Sequence, residues 1–249
     1  MTEHDATRAA VHPSEPYRVL ARKYRPAGFD GLIGQQAMVR TLVNAFRSGR
    51  LAHAYMLAGV RGVGKTTTAR IIARALNCIW GVCEHCRAIA EDRHVDVREV
   101  DAASHTGVDQ IRELIDGARY LPATARFKVY IIDEVHRFSG AAFDALLQTL
   151  AEPPPHAIFV LATTEIAKVP ATIKSRCQQF EFRRVSLAEV TSLLQEICDE
   201  EGVSIEHAAL ELIAREGTGS VRDSISLLDQ LLADPDAHIS LEEAEAILG

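Results

Sequence analysis

The sequence predicts an α/β fold, a parallel sheet flanked by helices, followed by a small all-helical domain. Three observations carry this expectation. Short, nearly continuous apolar runs occupy 54–58, 129–132 and 158–161, and each ends in glycine or polar residues. Helical spacing of apolar residues recurs between the runs. After about residue 184 strand patterns stop, and amphipathic stretches punctuated by Gly202, Gly217 and Gly219 take over. Runs that are apolar on both faces belong to a sheet covered on both sides, where ligands collect at the carboxyl ends of the strands.

Each element has its own signal. Residues 1–16 hold Pro13, Pro16, mixed charge and no periodicity, so they read as a flexible tail. Between 32 and 46, Leu32, Ile33, Val39, Leu42, Val43 and Phe46 fall at helical spacing. A strand at 54–58 runs into glycines and then into a helix at 65–76. Further short strands are expected at 95–100, 129–132, 158–161 and 180–182. Helices are expected at 187–200, 208–216, 221–232 and 241–248. The domains are therefore expected to span 17–184 and 185–249.

Composition narrows the classes. The chain has 249 residues, 47% hydrophobic and 24% charged, enough for one large domain or two small ones. With 27 Lys+Arg against 34 Asp+Glu the net charge is −7, which excludes a histone-like nucleic-acid binder but not a local basic surface. No apolar run approaches the roughly 20 residues of a membrane helix. The first residues carry no secretory signal. Three of the five cysteines crowd into 78–86, which speaks against a secreted disulfide framework.

The strongest motif is Gly59-Val60-Arg61-Gly62-Val63-Gly64-Lys65-Thr66, a G-x-x-x-x-G-K-[ST] phosphate loop between a strand and a helix. Gly59, Gly62 and Gly64 let the backbone curl so that several N–H groups face one phosphate. The helix that starts near Lys65 adds its positive end. Val63 and Thr67 belong to the same binding segment. Lys65 neutralises the outer phosphates, and the Thr66 hydroxyl can join a Mg²⁺ shell.

Asp133 and Glu134 stand at the tip of the strand at 129–132. Coupled to a phosphate loop, Asp133 is placed to hold Mg²⁺ and Glu134 to polarise the attacking water. Thr164 ends another strand, where it either bonds the terminal phosphate or its water, or serves only as a turn residue. Arg176, in Lys174-Ser175-Arg176-Cys177, reads by itself as a surface arginine. Arg222 near a helix start opposes the helix dipole, a mild hint that it serves an anion.

In this order, Gly59–Thr66, Asp133-Glu134-Val135-His136, Leu161-Ala162-Thr163-Thr164, Ser175-Arg176-Cys177 and Gly219-Ser220-Val221-Arg222-Asp223 resemble an AAA+ ATPase. More closely, Leu20-Ala21-Arg22-Lys23-Tyr24-Arg25-Pro26, Ile33-Gly34-Gln35, His53-Ala54-Tyr55, Leu76-Asn77-Cys78, Asp101-Ala102-Ala103-Ser104 and Glu152-Pro153-Pro154 resemble the gamma/tau family of bacterial DNA polymerase III clamp-loader subunits. The likeness covers about residues 17–249.

The resemblance implies a P-loop AAA+ nucleotide-binding domain at 17–184 and a helical lid at 185–249. It implies that ATP and Mg²⁺ are the cofactors. Thr164 would be sensor 1, Arg222 sensor 2, and Arg176 an arginine finger acting in trans on a neighbouring subunit's nucleotide. Tyr24, Arg25, Ile33 and Gly34 would border the adenine. The implied partners are delta, delta-prime and further gamma/tau subunits, the sliding clamp and primed DNA, with no membrane. The implied place is the cytoplasmic replisome of a bacterium. DNA would be held through its phosphates, with Ser104, His105 and Thr106 as candidate contacts. Gln148 stands where relatives usually carry Lys, and Ala151 where an acid is common, so the expected DNA binding is weak and salt-sensitive. No acidic constellation for nucleotide polymerisation lies outside the ATP site. Relatives continue into a helical collar, absent here, so a mainly monomeric chain with feeble ATPase activity is expected.

Cys78, Cys83 and Cys86 form a candidate structural zinc knuckle at 78–86. The family pattern has four Cys, and Trp80 stands where the second is expected. His85 lies awkwardly inside C-x-x-C, and His94 is a further candidate ligand. The alternative is a degenerated knuckle with free thiols. Cys177 and Cys198 read as small buried residues. Two other functions stay open: a non-hydrolysing subunit like delta-prime, disfavoured by Lys65, Thr66 and Glu134, and a branch-migration helicase, disfavoured by Ser175-Arg176-Cys177 and the cysteines.

Overall fold

The computed structural model describes residues 19–78, 83–104, 108–232 and 238–248. The tail expected at 1–16 lies outside them, as do Trp80, His105 and Thr106. In chain order the elements are α1 (Leu20–Lys23), α2 (Gln36–Ser48), β1 (Ala54–Ala58), α3 (Lys65–Asn77), α4 (Glu84–Ala90), β2 (Val97–Asp101), α5 (Val108–Gly117), β3 (Lys128–Asp133), α6 (Gly140–Ala151), β4 (Ala157–Thr163), α7 (Ala171–Lys174), β5 (Gln178–Glu181), α8 (Leu187–Glu201), α9 (His207–Glu216), α10 (Val221–Leu231) and α11 (Leu241–Leu248). The sheet has five strands in the order β2-β3-β4-β1-β5, and all pairs are parallel.

The apolar runs behave as a doubly covered sheet requires. Along β1, Ala54 and Met56 enter one core while Tyr55 and Leu57 enter the other. Along β4, Phe159 and Leu161 alternate in the same way with Ile158 and Val160. Helices α5 and α6 cover the first face, and α2 and α3 the second. Both faces of each central strand are thus dry, which explains why the runs show no polar alternation.

Helices α8 to α11 form the separate helical unit. Helix α8 opens with a capping box in which Ser186 and Glu189 satisfy each other's backbone N–H groups. Leu194, Ile197, Leu210, Ile213 and Leu228 are fully buried among themselves. Leu20 of α1 is buried in this same core, and its N–H donates to Asp229 Oδ1 at 3.4 Å. Helix α1, read with the first domain at sequence level, packs with the lid.

Some local expectations are corrected. Leu32 and Ile33 lie ahead of α2, which begins at Gln36. The edge strand is displaced from 95–100 to Val97–Asp101, and the last strand from 180–182 to Gln178–Glu181. The Ser104 hydroxyl donates to Asp101 Oδ2 at 3.1 Å, and α5 is described from Val108.

Candidate active site

The phosphate loop connects β1 to α3 at the carboxyl edge of the sheet. Gly62 has φ +76°, and a Cβ there would lie 1.8 Å from Ser220 Oγ, so only glycine permits the lid to approach this closely. Gly59 meets the same demand on its other flank, where a Cβ would stand 2.7 Å from the Phe182 carbonyl. Helix α3 starts after Gly64 with no side chain capping it, which leaves its first N–H groups for an anion. Lys65 is only 6% exposed, and its Nζ donates to the carbonyls of Gly59 at 2.8 Å and Val60 at 2.7 Å. Burial pulls its ammonium below the ordinary lysine range, opposed by Glu134 and Asp133.

Across the loop, the Thr66 hydroxyl donates to Asp133 Oδ2 at 2.6 Å. The pair joins two oxygen donors from elements 67 residues apart, the ligand chemistry Mg²⁺ prefers. Glu134 follows directly and holds a left-handed backbone, φ 50° and ψ 41°. For a residue other than glycine this costs about 1–2 kcal/mol, and such strain concentrates at functional positions. The Thr164 hydroxyl donates to Glu134 Oε2 at 2.7 Å.

These groups line a cavity of about 930 Å³. Tyr24, Arg25, Ile33, Gly62, Val63, Gly64, Lys65, Thr66, Thr67, Asp133, Glu134, Thr164 and Arg222 all reach it. Arg222 sits in the first turn of α10, and its N–H donates to the Gly62 carbonyl at 3.2 Å, tying the lid to the loop. Burial pulls the Arg25 guanidinium below its usual range, with neighbouring Arg70 and Arg222 acting the same way and Glu99 against them. The Tyr24 hydroxyl donates to Glu201 Oε1 at 2.6 Å, and burial with Glu201 pushes its ionisation up.

Gly59, Gly34 and Arg176 are not among the lining residues. Gly59 acts through its carbonyl on Lys65, while Gly34, at φ +70°, packs against Val185. Arg176 is exposed on the outer surface, its Nη1 donating to the Thr172 carbonyl at 2.9 Å. The residue that sequence reasoning passed over is His136, which lies beside Glu134 and Thr163. Its signal was present in Asp133-Glu134-Val135-His136, a histidine one turn beyond the acids.

Cys83 Sγ lies 3.6 Å from Cys78 Sγ and 3.7 Å from Cys86 Sγ. Zinc–sulfur bonds of about 2.3 Å in a tetrahedron set sulfurs about 3.8 Å apart, so the spacings from Cys83 suit zinc, with three thiols supplying three of the four ligands a structural site takes. His94 is not part of this cluster. Its Nδ1 accepts the Asp96 N–H at 3.0 Å, and its Nε2 lies 2.8 Å from His85 Nδ1. With Nδ1 accepting, a neutral His94 carries its proton on Nε2, so its single ring lone pair is already taken by the Asp96 N–H and is not free for a metal. Burial pushes the Cys86 thiol up, but hydrogen bonds from Cys83, Cys78 and Arg74 outweigh it and bring the value to about 7.

A parallel sheet with a glycine-rich phosphate loop, an Asp-Glu strand end and an arginine-bearing helical lid defines an AAA+ P-loop ATPase fold. Among solved structures, the RuvB Holliday junction branch migration motor of Thermotoga maritima superposes with a TM-score of 0.68 at 23% identity, covering 90% of this chain and 72% of that one. The match shows the fold. Residues 34–186 match the family described as DNA polymerase III, delta subunit, and 189–236 match the DNA polymerase III clamp loader subunit ATPase lid domain. The chain belongs to the family of DNA polymerase III clamp-loader subunits. DNA polymerase III subunit tau of Escherichia coli is 47% identical over 94% of this chain and 37% of its own length. Subunit gamma of Buchnera aphidicola is 42% identical, over 94% of this chain and 65% of its own length. Bacillus subtilis subunit tau is 43% identical, over 94% and 43%. The chain therefore spans about a third to two thirds of these relatives.

Proposed function

We propose that this chain is an ATP-binding and ATP-hydrolysing motor unit of a bacterial clamp loader, working in the cytoplasmic replisome. The observation that carries the reading is the Thr66–Asp133 contact at 2.6 Å, beside a buried Lys65 and an uncapped helix α3. In this reading the β- and γ-phosphates lie on the N–H groups of 62–66. Lys65 leaves the Gly59 and Val60 carbonyls for the phosphates. Thr66 and Asp133 would hold Mg²⁺, which when bound would supply positive charge against the phosphates. Glu134 takes a proton from the attacking water, Thr164 orients that water and Arg222 brings the lid onto the triphosphate.

Arg176 supplies the neighbouring subunit's site, which suits its exposure away from this cavity. The partners are delta, delta-prime and further gamma/tau copies, the sliding clamp, and primed DNA met through its phosphates. Tyr24, Arg25, Ile33 and Gly34 frame the base. The domain boundaries at 17–184 and 185–249 follow the same reading, with α1 lending its core residue to the lid. Zinc at Cys78, Cys83 and Cys86 has a structural role at the end of α3.

Two variants test the reading. Lys65→Ala is expected to lose binding of a slowly hydrolysed, fluorescent ATP analogue. Arg176→Ala is expected to keep that binding but to lower turnover of the assembled loader with clamp and primed DNA by about 10³-fold or more. Unchanged analogue affinity in Lys65→Ala refutes the nucleotide site, and parental turnover in Arg176→Ala refutes the trans finger.

A further inference from the structure

His136 belongs to the turn Val135–Arg137 that follows β3, and its side chain is 5% exposed. Its ring touches the catalytic edge on both sides. Nδ1 lies 3.2 Å from Glu134 Oε2 and 3.0 Å from Thr163 Oγ1, while Nε2 lies 3.2 Å from Glu165 Oε1. Glu165 in turn is held by Lys168 Nζ at 2.7 Å, and its N–H donates to Thr163 Oγ1 at 3.0 Å.

The left-handed backbone of Glu134 fixes where its side chain leaves the chain but not where the carboxylate points. A glutamate has three side-chain torsions, and an exposed one samples several rotamers. Thr164 supplies one restraint on Oε2, from the cavity side. The buried imidazole supplies the second, from behind. The buried ring is hydrogen-bonded to Thr163 Oγ1 and set between two carboxylates, so turning it breaks that bond and separates both charged contacts, which makes it a stiff support.

On the reading that Glu134 activates water, we propose that His136 is the positioning residue that aims the Glu134 carboxylate, with Glu165 as its outer anchor. It acts through Glu134 and needs no contact with the nucleotide. The same contact links Glu134 to the segment 165–176, which ends at Arg176. The carboxylate of one site and the arginine that leaves for the next are therefore joined through one ring.

The test uses the assembled loader and two substitutions. His136→Leu fills the space without a donor, and His136→Asn keeps an N–H close to the Nδ1 position. Turnover is followed against ATP concentration, analogue binding is titrated and thermal unfolding is recorded. His136→Leu is expected to lower kcat about 10- to 100-fold, the worth of one close polar contact to a charged group, with KM and analogue affinity within twofold. His136→Asn is expected to regain most of that loss. Parental or faster turnover in His136→Leu overturns the proposal. So does an Asn variant as slow as the Leu variant with equally lowered melting temperatures, which marks a packing role. Failure of the parent chain to bind the analogue overturns the nucleotide reading, and this proposal with it.

Discussion

Gly62→Ala tests the closeness of loop and lid directly. At φ +76° the added methyl would meet Ser220 Oγ at 1.8 Å and Ser220 Cβ at 3.0 Å. Ser220 is 4% exposed and caps α10 by accepting the Asp223 N–H at 3.2 Å, so its hydroxyl has no free direction in which to retreat. Three costs accumulate. The left-handed backbone costs alanine about 1–2 kcal/mol. Displacing the cap costs about 1 kcal/mol. Losing the Arg222 N–H bond to the Gly62 carbonyl costs about 1 kcal/mol. Together they come to about 3–4 kcal/mol, or roughly 6–16 °C in melting temperature for a domain of this size. The assay is calorimetric unfolding beside titration with the ATP analogue, which should bind more weakly because Arg222 moves with α10. Adding Ser220→Gly should restore part of the loss, since it removes both clashing atoms. A Gly62→Ala chain that melts within 2 °C of the parent and binds the analogue equally well refutes the reasoning.

Two further outcomes follow from side chains away from the nucleotide. Asp96 is 2% exposed and accepts N–H bonds from Ala123, Thr124 and Ala125, which hold its carboxyl below the usual range despite burial. Its folded value lies below its unfolded one, so its stabilisation is present above the unfolded value and is lost as pH falls through the folded value. Asp96→Asn should therefore lose about 2–3 kcal/mol at pH 7 and show a shallower fall in stability towards pH 3 in urea unfolding; an equally steep fall would contradict this. Burial pushes Cys177 up to about 12 and Cys198, with Asp199 and Glu201, up to about 11. With metal stripped, iodoacetamide at pH 8 should label Cys78, Cys83 and Cys86 before either of them, and zinc should slow that labelling; peptide mass spectrometry that finds Cys177 labelled first would refute the assignment.

The sheet was legible where burial is complete. Tyr55 to Leu57, Val129 to Ile132 and Ile158 to Leu161 are apolar because both faces are covered, and no other pattern competes with them. The edge strand β2 is only partly covered, with Arg98, Glu99 and Asp101 among its residues, and its bounds were misread by two positions at the start and one at the end. Helices α1 and α7 have four residues each, too short for a 3.6-residue period to repeat. Helix α4 was hidden because its first residues, Glu84 to Cys86, were read as part of a metal knuckle. Among the functional groups, the phosphate loop and the Asp-Glu strand end announced themselves by spacing. The role of Arg176 came only from resemblance, because a residue that serves another molecule leaves no mark in its own cavity. His136 escaped because a histidine in a turn says nothing about its neighbours until Thr163 and Glu165 fold against it.

The burial of Leu20 in the lid sets an order of events during synthesis. Asp229 and Leu228, which receive this residue, are made some 200 positions after it. Until then an apolar side chain waits uncovered, and Lys23 and Tyr24 wait for Glu201. Such a distant closure is slow and is paid for in chain entropy. A version of the protein beginning at Gly28 should thus make its sheet normally and leave the distal helices incompletely docked, although every one of their own residues is present.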